Sequence, residues 1–152
     1  MAGVQSRWQP DVTVATVVVR DGRLLQVEES INGAAVINQP AGHLEPGESL
    51  LEAAVRETLE ETGWHVRLTH FIGSYQWVAE TGRCYLRFAF AADAVAHAPE
   101  RPLDDGILRA LWMTPQELRE AGPRLRSPLV ARVATDYLAG QRYPLSLVAQ
   151  LP

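Results

Sequence analysis

The stretch Gly42-His43-Leu44-Glu45-Pro46-Gly47-Glu48-Ser49-Leu50-Leu51-Glu52-Ala53-Ala54-Val55-Arg56-Glu57-Thr58-Leu59-Glu60-Glu61-Thr62-Gly63 decides how the rest of the chain is read. Its loop-like half ends after Gly47, and Ser49 followed three residues later by Glu52 has the spacing of a capping box, so a helix is expected to begin there. Gly63 is expected to stop it. At about 100° per residue, Glu57, Glu60 and Glu61 fall on one face, below Ala53 and Ala54, with Leu51, Val55, Thr58, Leu59 and Thr62 roughly opposite. That phase predicts an acidic side and a core side facing away from each other, with Leu50 turned to the acidic side.

Carboxylates at these spacings repel, at a cost of about a few tenths of a kcal/mol per pair. A solvated acidic face tolerates that cost. A divalent cation such as Mg²⁺ or Mn²⁺ removes it, because hard cations prefer carboxylate oxygens and leave positions open for water and phosphate. The loop before the helix favours the cation. Gly42 and Gly47 permit tight turns and close backbone approach, and Arg56, beside Glu57 and four before Glu60, can orient a carboxylate.

Outside this stretch the composition sets bounds. With 152 residues and 47% hydrophobic content, one compact domain over 1–152 is expected. A net charge of -4, with no basic run, argues against a nucleic-acid surface. Cys84 is the single cysteine, so no intramolecular disulfide forms; the residue reads as buried packing in a reducing, cytoplasmic setting. Residues 1–10 lack the apolar run of a signal peptide, and no stretch is long enough for a membrane helix.

Read in order, Val12 to Arg20 is a Val-rich buried strand, Asp21-Gly22 turns into a strand at Leu24 to Glu28, and Asn32-Gly33 turns into Ala34 to Asn38, which leads through Pro40 to the loop. After the helix, Val66 to Val78 and Cys84 to Ala91 form a second hairpin broken at Glu80-Thr81-Gly82. Ala94 to Asp105 reads as loop, Ala110 to Met113 as a short strand, and Thr114-Pro115 and Ser127-Pro128 as two helix starts, the second helix running Leu129 to Leu138 and ending at Gly140. The sum is an α/β sandwich, a mixed sheet between helical layers.

The spacing from Gly42 through Glu48, Arg56-Glu57, Glu60-Glu61 and Gly63 to apolar Trp64 resembles the signature of the Nudix hydrolases, with Thr58 standing where an aliphatic residue is usual. Further segments resemble bacterial phosphatases of that family: Val12 to Ala15, Val27-Glu28-Glu29, Ile31 to Gly33, Asn38 to Glu45, Arg87-Phe88, Ser127 to Ala131 and Gly140 to Leu145. Two departures bear on substrate choice: Val36-Ile37 replaces a bulky aromatic, and Asp104-Asp105-Gly106 matches the relatives' acidic loop only loosely.

The resemblance implies an α/β/α Nudix sandwich and Mg²⁺-dependent release of terminal phosphate from nucleoside tri- and diphosphates and from hydroxymethylpyrimidine pyrophosphate. The implied partner is a small phosphorylated metabolite, the protein being a monomer or homodimer. By the same resemblance Glu57, Glu60 and Glu61 are assigned as metal ligands with the Ala41 carbonyl, Glu60 as the favoured base with Glu61 an alternative, and Arg56 as the residue orienting a carboxylate. Glu48 is expected to brace the loop, and Glu52 to cap the helix or pair with Arg56.

For substrate binding the candidates are Asn38, Gln39 and Arg87, whose side chains offer amide and guanidinium groups. Tyr75 and Trp77, two apart in a strand, read as core packing or as a stacking platform. His43 can reach phosphate or stand exposed, His65, His70 and His97 show no zinc spacing with Cys84, and one of Arg126 and Arg142, near Tyr143, is expected to reach a phosphate. Two other activities remain open: pyrophosphate hydrolysis of another nucleoside diphosphate-linked substrate, and metabolite binding without catalysis.

Overall fold

The Val-rich strand β1 (Asp11–Arg20) is the axis of the fold. In this computed structural model, which describes residues 6–152, it runs parallel to β6 (Cys84–His97) from Asp11 opposite Tyr85 to Val18 opposite Ala92. On its other side it pairs first with β4 (Ala41–His43) and then, beyond a change of partner, with β2 (Arg23–Ile31). β2 carries β3 (Ala34–Asn38) on one edge and β7 (Ile107–Met113) on the other, and β6 carries β5 (Trp64–Val78). Residues 1–5, part of the N-terminal segment read for a targeting signal, lie outside the described residues. No described helix is long and apolar enough to cross a membrane.

Alternation along β1 and β6 assigns the two faces. Val14 and Phe90 pack under α1 (Leu50–Thr62), whereas Val17, Ala89 and Ala91 pack under the layer of α2 (Pro115–Ala121) and α3 (Pro128–Leu138). The result is the expected α/β/α layering. Both hairpin turns signalled by Asp21-Gly22 and Asn32-Gly33 form, each with two consecutive positive φ angles (50° and 73°, 49° and 82°). Ser49, Thr114 and Ser127 all cap their helices through the side-chain oxygen, and Cys84 is buried.

Four expectations are corrected. β2 continues to Ile31 because it pairs with β3 as far as Ile31 opposite Ala34, and β7 starts at Ile107 because it pairs with β2 across a bulge at Glu28/Glu29. Ala94 to His97, read as loop, is the end of β6, paired with Trp64 to Val66; its alanines have little strand propensity of their own and take it from the neighbour. Ala41 to His43, read as loop, forms the short strand β4.

The fourth correction concerns the phase of α1, which is rotated from the predicted one. Its buried residues are Ala53, Ala54, Thr58, Glu61 and Thr62, so the acidic side and the core side adjoin rather than oppose. Small alanines let the helix approach the sheet closely, where Thr58 Oγ1 donates to Ala54 O at 2.7 Å and lies 2.8 Å from Thr16 Oγ1. Leu50, expected on the acidic side, packs against the core cluster of Val14, Ala53, Ala54 and Phe90.

Candidate active site

Arg56 is the hub of the α1 end of the site. Its Nε donates to Glu48 Oε2 at 3.0 Å and its Nη2 to Glu48 Oε1 at 2.7 Å and to the His43 carbonyl at 3.0 Å. Its Nη1 donates to Glu57 Oε1 at 2.8 Å and Glu60 Oε2 at 3.1 Å. Glu48 also accepts the Glu45 amide at 2.8 Å and so closes the loop that precedes the helix. The hydrogen bond from Arg56 holds the Glu48 carboxyl below its ordinary value, and these carboxylates hold Arg56 firmly protonated. Glu52 makes no ion pair with Arg56; its amide is the group capped by Ser49 at 3.0 Å.

The carboxylates divide into two kinds. Glu57, Glu60 and Asp104 each offer one oxygen within 4.8 Å of the others. Asp104 reaches them because its backbone amide donates to the Glu60 carbonyl at 3.0 Å, docking the loop before β7 on the helix. Glu61 instead turns inward, 7% exposed, and accepts the Ala41 amide at 2.8 Å. Burial pushes its carboxyl up to about 9, only partly offset by that amide, with Glu29, Glu57 and Asp104 adding repulsion; burial raises Glu57 as well. A Cβ on Gly42 would collide with the Glu57 carboxyl and push it from its place beside Arg56.

Glu57 and Glu61, with Ala41 and Gly42, form one wall of a cleft of about 600 Å³. Its floor is one sheet face, where directly paired residues stand side by side: Arg87, Thr13 and His43 in one row across β6, β1 and β4, and Trp77 and Tyr85 in the next across β5 and β6. Arg87 is 6% exposed, and burial draws its guanidinium down to about 10 against the pull of Glu29 and Glu61.

The other residues singled out in the sequence take different places. Asn38 lines the cleft, its Nδ2 toward Glu29 Oε1 at 3.5 Å. Gln39 does not line it: fully buried, it donates to Val130 O at 2.9 Å and accepts Arg87 Nη1 at 3.2 Å, which makes it a bracket for Arg87 rather than a surface group. Arg126 lines the cleft and donates to Glu29 Oε2 at 2.7 Å. Arg142 lies over the Tyr137 ring at 4.4 Å, and Tyr143 pairs its backbone with Phe71, so neither lines the cleft. Tyr75 donates to Asp136 at 2.8 Å and packs in the core, while Trp77 stacks on Tyr85 and faces the cleft. His43, exposed, lines the mouth, and His97 stacks on Trp64.

Residues 8–133 match the family model of the NUDIX domain. The chain is a Nudix hydrolase. It is similar to the phosphatase NudJ of Escherichia coli K12, 48% identical over 141 residues that cover 93% of this chain and 92% of that protein. Among solved structures, a NUDIX hydrolase from Nitrosomonas europaea superposes with a TM-score of 0.92 at 46% identity, covering 94% of this chain and 98% of its own. A UDP-X diphosphatase shares the fold alone, with a TM-score of 0.73 at 17% identity over 93% of this chain and 69% of its own.

Four residues of this Nudix hydrolase's site had no assigned role in the sequence reading: Asp104, Thr13, Glu29 and Tyr85. Asp104 carried a weak signal as one of a loop pair. Glu29 was named only within the resembling segment Val27-Glu28-Glu29; it points to the face opposite Glu28, which pairs instead with Arg109 and Arg124.

Proposed function

We propose that this Nudix hydrolase releases terminal phosphate from nucleoside tri- and diphosphates and from hydroxymethylpyrimidine pyrophosphate, using a divalent cation, Mg²⁺ or Mn²⁺. The observation that carries the reading is the set of carboxylate oxygens from Glu57, Glu60 and Asp104, held within 4.8 Å of one another, with Glu57 lining a cleft that contains two arginines. The set fits a hard cation: three oxygen donors converge, and the one guanidinium that neutralises Glu57 and Glu60 is shared with Glu48. Glu61 and Ala41 adjoin it, locked to each other through the Ala41 amide.

When bound, the cation supplies neutralisation of phosphate oxygens and acidification of water. The chain's own groups do the rest. Arg56 fixes the rotamers of Glu57 and Glu60, so that their oxygens need no reorganisation when substrate arrives. Glu60, the more exposed of the two, takes the proton of the attacking water. Arg126, at the cleft edge, meets the oxygens of the phosphate chain and leaves its pairing with Glu29 to do so.

The test is product identification with and without Mg²⁺ or Mn²⁺ on nucleoside tri- and diphosphates, nucleotide sugars and hydroxymethylpyrimidine pyrophosphate. Orthophosphate released only with metal is the expected result. Pyrophosphate as the sole product would move the cleaved bond, and nucleotide binding with no turnover under any metal would remove the reading.

A further inference from the structure

Three buried side-chain atoms have no hydrogen-bond partner although their residues line the cleft: Thr13 Oγ1, Asn38 Oδ1 and Arg87 Nε. Each of these side chains is more than nine-tenths buried. A buried polar atom left without a partner is destabilising, so three on one floor mark either a defect or a place where a ligand completes the set.

The chemistry of the three atoms narrows what that ligand is. Asn38 Nδ2 faces the Glu29 carboxylate, which only accepts, and this fixes the amide so that Oδ1 is the orphan. In the same way Gln39, donating to a carbonyl and accepting from Arg87, fixes Arg87 with Nη1 satisfied and Nε free. The floor therefore offers one acceptor, one donor, and in Thr13 a hydroxyl that serves as either. A phosphate chain at neutral pH has almost no hydrogen to give Asn38 Oδ1. The matching group has to bring an N–H or O–H of its own, which places it on the organic part of the substrate.

The neighbouring row of the sheet says what carries that N–H. Trp77 and Tyr85 lie in the same cleft, stacked with ring centroids 5.7 Å apart and an interplanar angle of 21°. Tyr85 precedes Arg87 by two residues in β6, and Asp11 precedes Thr13 by two in β1, so aromatic and polar rows are adjacent on one face, about 7 Å apart. A flat surface beside a donor–acceptor pair suits a flat ligand with a donor–acceptor edge.

We propose that this floor is the recognition site for a nitrogen heterocycle with an amino or lactam N–H beside an acceptor, its face against the Trp77–Tyr85 pair and its edge satisfying Asn38 Oδ1, Arg87 Nε and Thr13 Oγ1. The three atoms lie just beneath the cleft surface, so their side chains shift toward the ligand as its edge seats. The proposal rests on the preceding reading for the position of the phosphates, at the Glu57 and Glu60 wall, and extends it by assigning the rest of the substrate to named atoms.

The experiment compares wild type with Thr13→Val and Trp77→Leu by calorimetric binding of cytidine triphosphate and of inorganic tripolyphosphate, which has the phosphates and no ring, together with metal-free thermal melts. Affinity for the nucleotide falls about tenfold in each variant, while tripolyphosphate affinity changes less than twofold. Thr13→Val melts at or above the wild-type temperature, because it deletes an orphaned hydroxyl in near-isosteric fashion; a role in holding the fold would lower it. Equal losses for both ligands would assign the row to phosphate and overturn the proposal, as would no loss for either. Should Thr13→Val not fold, Trp77→Leu, at the cleft surface, carries the comparison. Nucleotide-specific loss in a protein that turns over no nucleotide would sink the hydrolytic reading and leave this one standing.

Discussion

Two guanidiniums serve one cleft in opposite ways. Arg56, on the wall, makes five hydrogen bonds to Glu48, His43, Glu57 and Glu60, whereas Arg87, on the floor, makes one, to Gln39, and keeps a buried Nε without a partner. Acidic neighbours hold Arg56 charged; burial works against the charge of Arg87. The contrast teaches that the wall is assembled before any ligand arrives, its carboxylates already aimed, while the floor is finished only by what binds to it.

The largest effect expected comes from the wall. Glu60→Gln keeps the side-chain volume and loses the base, so kcat falls by about 10²–10⁴ with the fold intact, read by steady-state phosphate release and circular dichroism. A variant within a few-fold of wild type would transfer the role to another carboxylate of the cluster.

Arg56→Lys tests whether the wall needs a fork rather than a charge. Lysine cannot reproduce the paired bonds to Glu48 while also reaching Glu57 and Glu60, so stability drops by about 2 kcal/mol in urea denaturation and turnover drops with it. Unchanged stability would mean that the desolvation of this cluster cancels its attraction.

On the floor, Gln39→Leu leaves the Val130 carbonyl and Arg87 Nη1 without partners at a cost of about 1–3 kcal/mol, and frees Arg87 to move, raising KM more than it lowers kcat. A variant with wild-type KM would show that Arg87 is held by the strand pairing alone.

The remaining effect is a pH dependence. Burial lifts the Glu61 carboxyl from the ordinary 4.5 to about 9, so between those values the folded chain holds a proton that the unfolded chain has lost. Stability from this source is therefore full at low pH and declines as pH rises toward 9; Glu57, also raised by burial, adds in the same direction. In chelator, the melting temperature of wild type falls between pH 5 and pH 9, and Glu61→Gln, which keeps an acceptor for the Ala41 amide, flattens the fall. An identical slope in the variant would place the dependence elsewhere.

Local chemistry was legible wherever a few adjacent residues decide it. The two hairpin turns, the three helix caps and the limits of α1 follow from Asp-Gly, Asn-Gly, Ser-Pro and Gly63, whose preferences act within a turn. What could not be read was whatever depends on a partner distant in the chain. The alanines at the end of β6 became strand because Trp64 to Val66 pair with them, and α1 turned its alanines inward where their small size lets Thr58 meet Thr16 on β1.

The amino-acid sequence alone determined that glutamates would gather on one helix after a glycine loop, with an arginine between them, since all these positions lie within 22 consecutive residues from Gly42 to Gly63. Only the tertiary structure decided which carboxylates converge. Asp104 joins Glu57 and Glu60 through a backbone bond to α1 from 44 residues further on, and Glu61 withdraws into the core because the rotation of the helix against the sheet faces it there. A helix fixes angles among its own residues, but which of them meets the sheet is settled by packing, and packing is a property of the whole chain.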